Sequence, residues 1–373
     1  MISASAPPKI SGTATVMFEL LRHFPLDSAV LVTLGDNPST SRDDRQLRLR
    51  TIKPATNFAG AFRLFLVPLT AFLILHRLRS MKVKINNILG IFPSLDFLLV
   101  SVLLSKLLRV KLFVYLHDCI EETATLPIEK QISRIAEYLT FKCSAKVYSI
   151  SDCMKEYYKS KGFRTETLPH GIDSSSIRCP SIRYRSARPK VGFAGMIYAT
   201  NEDAIKELVA AKNLLKGGFE LHFATTLWSI GRLKDMGVSH EIETAHTYGS
   251  RDEVLDLLAD CDILFLPMSF SSKHRKDLVS IFPTKVTDYW LAQRPIIVYG
   301  SSDYAFTRKA SEDGYAKVIT QRGPEHIARA IEELRSSSIL QDSLVRASQR
   351  MILKHESKTI ARKLMDDLGI IRG

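Results

Sequence analysis

The sequence predicts an α/β protein made of two Rossmann-like halves. Its 373 residues are long for one domain and suit two of roughly 150–200 residues. Strand–helix–strand spacing recurs in each half, at Val83–Leu89, Phe97–Leu108 and Lys111–Leu116, and again at Pro189–Ala194, Asn201–Leu215 and Phe219–Thr225. Between them Ser174–Arg188 is rich in Ser, Arg and Pro, the composition of an interdomain linker. The expected division is an N-terminal domain over 1–172, a linker over 173–188, a second domain over 189–350 and a terminal segment over 351–373.

With 45% hydrophobic and 24% charged residues the chain can bury a core in each half. Its five cysteines are scattered and lack any C-x-x-C spacing, which argues against a disulfide framework or a metal cluster and for a reducing compartment. Residues 1–12 contain no long apolar run, so no secretory signal is read there. Net charge is +13, and +10 of it falls between Arg42 and Lys111, where 13 Lys/Arg meet three acids. Such a stretch attracts anions. It is aliphatic and poor in stacking aromatics, so a nucleic-acid partner is not expected.

In chain order, Ser11-Gly12-Thr13 precedes a helical pattern carrying Val16, Leu20, Leu21 and Phe24. A glycine-containing turn into a helix lets backbone approach a ligand closely. The strand before it would be Ile2–Ala6, short and poor in β-formers. Ala29–Leu34 reads as a buried strand ended by Gly35-Asp36-Asn37-Pro38. Phe58–Arg79 is the most apolar stretch. Its uncharged part, Leu64–Leu75, covers only 12 residues and contains Pro68, too short for the about 20 needed to span a bilayer. Flanked by arginines, it suits a membrane interface; a kinked core helix is the alternative. The strand Lys111–Leu116 ends in His117-Asp118, followed by Glu121 and Glu122, and ligands of parallel sheets gather at strand carboxyl ends. Helix Ile128–Cys143, strand Lys146–Ser151, helix Asp152–Ser160 and strand Thr165–Leu168 lead to Pro169-His170-Gly171-Ile172-Asp173.

The second half opens with VGFAG, placing Gly192 and Gly195 at a strand's end. Helix Thr226–Met236, strand Val238–Glu243, helix Asp252–Leu258 and the strand in Asp260–Pro267 follow. Ile281–Tyr299 is the organising stretch. Pro283 marks a loop turning into a helix with Thr284 as expected N-cap, Val286, Tyr289 and Trp290 recur at helical spacing, and a buried strand follows. Lys285 beside a helix N-terminus suits a phosphate, and Asp288, a turn on, can accept from a diol such as ribose. After a strand-like Gly314–Thr320, three helices close the chain (Pro324–Ser337, Ile339–His355, Lys358–Leu368).

PTKVTDY with Ala292 and Pro295 resembles the P-S/T-K-x-x-E-Y…A…P signature of GT-B glycosyltransferases related to the GT4 family, matching at Pro283, Thr284, Lys285, Asp288, Tyr289, Ala292 and Pro295. DCDILFLP resembles that family's A-D-V-x-x-x-P strand, and Pro169–Asp173 its P-N-G-I-D turn, with His170 for Asn. The resemblance implies two Rossmann-like domains facing across a cleft, with the last helix crossing back to the N-terminal domain. It implies transfer of a sugar, with retention, from a nucleotide-diphosphate sugar to a glycan or lipid-linked acceptor in cell-surface polysaccharide or glycoconjugate synthesis, with no metal or cofactor.

By that resemblance His117 and Lys285 are the catalytic candidates. Gly12, Thr13, Gly195, Thr284, Lys285 and Asp288 would bind the donor, while Asp118, Glu121 and Glu122 lie on the acceptor side. The expected location is the cytoplasm, peripheral on the inner face of the cell membrane, with 42–111 against anionic headgroups. The chain departs from the family at Asp288 (usually Glu), at Ser280 (usually acidic) and at Met196, Thr200 and Asn201, where an arginine and a lysine commonly grip the pyrophosphate. Two alternatives stay open: a catalytically silent GT-B subunit supporting a partner, and an epimerase or hydrolase of the same fold.

Overall fold

A computed structural model describes residues 1–3, 12–25, 28–33, 50–52, 62–121, 127–178, 188–278 and 281–370. The chain divides into two compact units, Met1–Ile172 with His355–Gly373, and Asp173–Lys354.

The first unit begins with helix α1 (Gly12–Leu21), strands β1 (Val30–Val32) and β2 (Arg50–Ile52), and helices α2 (Phe62–Phe65) and α3 (Val67–Ser80). Strand β3 (Asn87–Phe92), helix α4 (Leu95–Leu108) and strand β4 (Lys111–Leu116) follow, then helix α5 (Pro127–Cys143), strand β5 (Lys146–Ser149), helix α6 (Asp152–Ser160) and strand β6 (Glu166–Thr167). Strands β3 to β6 pair in parallel in sequence order. β1 pairs in parallel with β2, and Ile2 bridges Val32 to Gly90, filling the slot between β1 and β3. The expected first strand thus reaches the sheet at Ile2; residues 4–6 lie outside the described ones. Pro68 does not kink α3. It sits in the first turn, where its missing N–H costs nothing, and Leu66 separates α3 from α2. Ser151 caps α6 by accepting from the Met154 amide, 3.2 Å.

The second unit contains β7 (Lys190–Ala194), α7 (Glu202–Leu214), β8 (Glu220–Ala224), α8 (Leu227–Asp235), β9 (Thr244–His246), α9 (Arg251–Asp260) and β10 (Ile263–Pro267). Then come the short α10 (Arg275–Leu278) and α11 (Val286–Leu291), β11 (Ile296–Tyr299), α12 (Ala305–Asp313), β12 (Ala316–Ile319), α13 (Pro324–Ser336) and α14 (Ser338–Lys354). Its sheet is parallel with order β12-β11-β10-β7-β8-β9, the doubly wound arrangement that switches direction between β7 and β10. β10 and β11 are buried throughout, as strands covered on both faces must be. The core is continuous from Val191 and Phe193 through Leu208 and Phe223 to Phe265, Ile297 and Ile331.

Two sequence expectations are corrected here. Val238–Glu243 is not a strand: Ser239–Glu241 is a 3-10 turn and the strand falls at β9. The buried ammonium of Lys212 holds the Glu241 carbonyl and pairs with Glu243 at 2.8 Å, while Glu243 accepts from the Leu221 amide, so this segment is anchored by polar contacts. Nor does Thr284 act as a side-chain N-cap; α11 opens at Val286 without one, the carbonyls of Pro283 and Thr284 accepting from Val286 and Thr287 in a tight turn.

The final helix α15 (Ser357–Asp367) belongs to the first unit. Asp367 pairs with Lys146 at 2.9 Å and accepts from the Tyr148 hydroxyl at 2.6 Å, Asn87 donates to the Leu368 carbonyl at 2.7 Å, and Glu356 bridges Ile172. Burial of Ile360, Ala361, Leu364 and Met365 completes its attachment.

Candidate functional site

In the second unit the site is built at the carboxyl ends of β7, β8 and β10. Val286, Tyr289, Trp290 and Leu291 bury α11 against the sheet. The Tyr289 hydroxyl donates to the Phe265 carbonyl and accepts from the Ala194 amide, both at 3.0 Å, tying α11 across β10 and β7. That anchorage sets Lys285, the residue before α11, beside the end of β7. Its Nζ lies 4.6 Å from the centroid of the Phe193 ring. No carboxylate among the described residues comes within ion-pair distance, and burial alone pushes the pKa of Lys285 down to about 8. A half-buried ammonium with no counter-ion suits an anion that comes and goes.

Gly195 makes the space. Its φ is +120°, a region side chains rarely adopt, and a Cβ there would lie 3.0 Å from Lys285 Nζ and 3.2 Å from Cε. The glycine's own N–H is engaged, donating to the Ala224 carbonyl at 2.9 Å. The next amides are largely engaged as well, Ile197 with Ser229 Oγ (3.0 Å) and Tyr198 with Asn201 Oδ1 (2.9 Å). Thr284 lies in the turn before α11 and contributes its carbonyl to Thr287. Asp288 is paired: Arg251 Nε and Nη2 both meet its Oδ1, at 2.8 and 2.7 Å, which leaves Oδ2 outside that pair. Arg251, at the start of α9, was not singled out from sequence. Its only signal is its place after the capping Ser250, at the strand end of a Rossmann layer.

In the first unit β4 delivers His117 and Asp118. His117 is buried, packed edge-on against the Tyr115 ring at 4.3 Å, and neither ring nitrogen has a hydrogen-bond partner among the described residues. Burial holds its pKa down at about 3, so the ring is neutral at physiological pH and can donate from one nitrogen and accept at the other. Two unpaired nitrogens in a dry site cost free energy unless a ligand supplies partners. Burial also raises the Asp118 carboxyl to about 6.

Glu121 stands apart from this pair. It forms ion pairs with Arg134 (2.7 Å) and Lys161 (3.1 Å), and Lys161 also binds Glu137. Glu121, expected on the acceptor side, is thus held in a charge cluster. Glu122 lies outside the described residues, as does Ser11. Gly12, exposed, and Thr13, half-buried, open α1.

No protein-family model matches the chain, and no curated protein matches it by sequence. Solved structures do. HepE from Anabaena, in complex with UDP and glucose, has a TM-score of 0.73 at 12% identity, covering 98% of each chain. Sucrose-phosphate synthase from Thermosynechococcus elongatus has a TM-score of 0.68 at 12% identity, covering 90% of this chain and 87% of its own. WaaG, a glycosyltransferase involved in lipopolysaccharide biosynthesis, has a TM-score of 0.66 at 12% identity, covering 96% of each chain. The two parallel-sheet Rossmann-like bodies of this chain therefore have the GT-B fold, as the sequence motifs led us to expect.

Proposed function

We propose that this protein is a glycosyltransferase that takes its sugar from a nucleotide-diphosphate donor. One observation carries the reading: Lys285 holds a half-buried ammonium with no carboxylate partner among the described residues, against Gly195 at the switch point of the second unit's sheet. Ligands of doubly wound sheets bind outside strand carboxyl ends at that point. A leaving diphosphate develops negative charge on its bridging oxygen, and a cation already fixed in place and partly desolvated stabilises that charge with little reorganisation. Structural neighbours solved with UDP and UDP-glucose support the same donor class. Lys285, in the space that Gly195 leaves, takes the phosphates, and Asp288, oriented by Arg251, takes the ribose through Oδ2. In the first unit, His117 meets sugar or acceptor hydroxyls as a neutral donor–acceptor and Asp118 is the acceptor-side carboxylate. The reading calls on no metal. By the sequence resemblance the transfer retains anomeric configuration and serves surface polysaccharide or glycoconjugate synthesis.

The acceptor class is a lipid-linked glycan reached from a membrane surface. No described helix is long and apolar enough to cross a membrane. Yet α2 and α3 are apolar on two sides. Val67, Ala71, Ile74, Leu75 and Leu78 are buried, while Phe65, Leu69 and Phe72 are 80%, 49% and 62% exposed, and Arg77 and Arg79 follow. Apolar side chains flanked by cations fit an anionic bilayer interface. The pairing of Asp288 with Arg251 favours a second reading, a silent subunit whose ribose contact is already satisfied within the protein.

The test is release of nucleoside diphosphate from a panel of nucleotide-diphosphate sugars, with lipid extract as acceptor source, comparing wild type with Lys285→Ala. Release from one donor, lost in the variant, is expected. Binding of the donor without any turnover would move the assignment to the silent subunit.

A further inference from the structure

The loop after β7 and the start of α8 carry an aromatic pair that the donor site so far does not use. Tyr198 and Trp228 are 48% and 52% exposed, their ring centroids 6.2 Å apart and tilted by 43°, and neighbouring Leu227 is 77% exposed. Large rings left in water at two adjacent strand ends contribute little to the core, which α8 reaches through Leu233 and Ser229 instead. The support beneath them is rigid. Asn201, buried, accepts from the Tyr198 amide at 2.9 Å and donates to the Met196 carbonyl at 3.2 Å. The two loops are joined by Ile197 donating to Ser229 Oγ at 3.0 Å and Thr225 Oγ1 donating to the Gly195 carbonyl at 2.7 Å. Arg232 lies 5.9 Å over the Trp228 ring and pairs with Glu202, fixing the indole from below.

Tyr198 is three residues from Gly195, so at most about 10 Å of chain separates it from the glycine that Lys285 packs against. A nucleoside diphosphate with its phosphates on Lys285 has a planar base to place within that reach. We infer that Trp228 and Tyr198 form the shelf on which the donor's nucleobase stacks. The inference rests on the donor-site reading above. Stacking on an indole accepts any base, since each has a π-face, so this shelf supplies affinity and leaves base choice to other groups.

The chain has two tryptophans, and the other, Trp290, is fully buried. Trp228 therefore reports occupancy by its own fluorescence. The experiment titrates wild type, Trp228→Ala, Trp228→Phe and Lys285→Met with UDP, GDP and ADP and, separately, with inorganic pyrophosphate, by fluorescence and calorimetry. The expected result is saturable quenching of wild type by a nucleoside diphosphate and about 5- to 150-fold weaker binding of it by Trp228→Ala. Trp228→Phe keeps most of the affinity, and pyrophosphate binds wild type and Trp228→Ala equally; Lys285→Met weakens both ligands. A nucleoside diphosphate that binds through Lys285 with no quenching, or equally well to Trp228→Ala, overturns the shelf and leaves the donor site standing. Failure of all three diphosphates and of pyrophosphate to bind wild type removes the donor site and the shelf with it.

Discussion

Replacing Lys285 by methionine keeps the apolar stem over Phe193 and removes the charge. Burial alone lowers this ammonium from 10.5 to about 8, so in the ligand-free protein the charged form is disfavoured by folding. At about 1.36 kcal/mol per pH unit, and discounted for the partial exposure of the side chain, the cost is on the order of 2 kcal/mol at pH 7. Linkage sets the window. Between about 8 and 10.5 the unfolded chain holds the proton and the folded one does not, so the wild type gains stability as pH rises through that range. Lys285→Met lacks this slope. Urea unfolding of both proteins at pH 7 and pH 10 should find the variant equal or more stable at pH 7, by up to about 2 kcal/mol, with the gap closing at pH 10. The same variant should lose about 10- to 150-fold in affinity for nucleoside diphosphate, the worth of a hydrogen bond to a charged group. A site residue trades stability for function in this way. A variant less stable than wild type that binds nucleoside diphosphate undiminished would refute the reasoning.

Four further outcomes follow from the same geometry. His117→Phe should fold with near-wild-type stability, because both unpaired ring nitrogens are replaced by carbon, yet lose sugar transfer by at least about tenfold; a stability loss above about 3 kcal/mol in urea unfolding would mean the nitrogens are satisfied. Asp118 has its carboxyl raised to about 6, so the stability its neutral form confers is full below about pH 4 and lost as pH rises through about 6. Asp118→Asn should therefore gain stability relative to wild type progressively between about pH 4 and 6, hold it above, and abolish any activity limb near pH 6, which thermal melts and a pH–rate profile would show. Gly195→Ala should cost about 1–3 kcal/mol from its φ of +120° and weaken pyrophosphate binding as its Cβ displaces Lys285; unchanged affinity by calorimetry would separate glycine from lysine. Replacing Phe65 and Phe72 by serine should reduce cosedimentation with anionic liposomes several-fold and leave the melting temperature within a few degrees, since both rings are mostly exposed.

Much of the fold was legible because its signals are local. The strands ending at Leu116 and Pro267 and the helix before Pro295 are apolar runs with punctuation at both ends. Pairings distant in sequence were not legible. Asp288 meets Arg251 across 37 residues, and Glu121 meets Lys161 across 40, so an exposed-looking acid became a positioned one in the first case and a clustered one in the second. The engagement of the Gly195 amide by Ala224 depends on β7–β8 register, which a single strand's composition does not reveal. Conversely, the solitude of Lys285 and His117 is visible only once their neighbours are placed. That solitude now carries the functional argument.

The most direct measurement of the central claim is a thermal-shift titration of wild type with UDP, GDP, ADP and CMP. A ligand bound only by the folded state stabilises it by about 2.7 kcal/mol at a hundredfold excess over Kd. A saturable upward shift is expected with at least one diphosphate and none with CMP. No shift with any diphosphate at millimolar concentration would contradict the central claim.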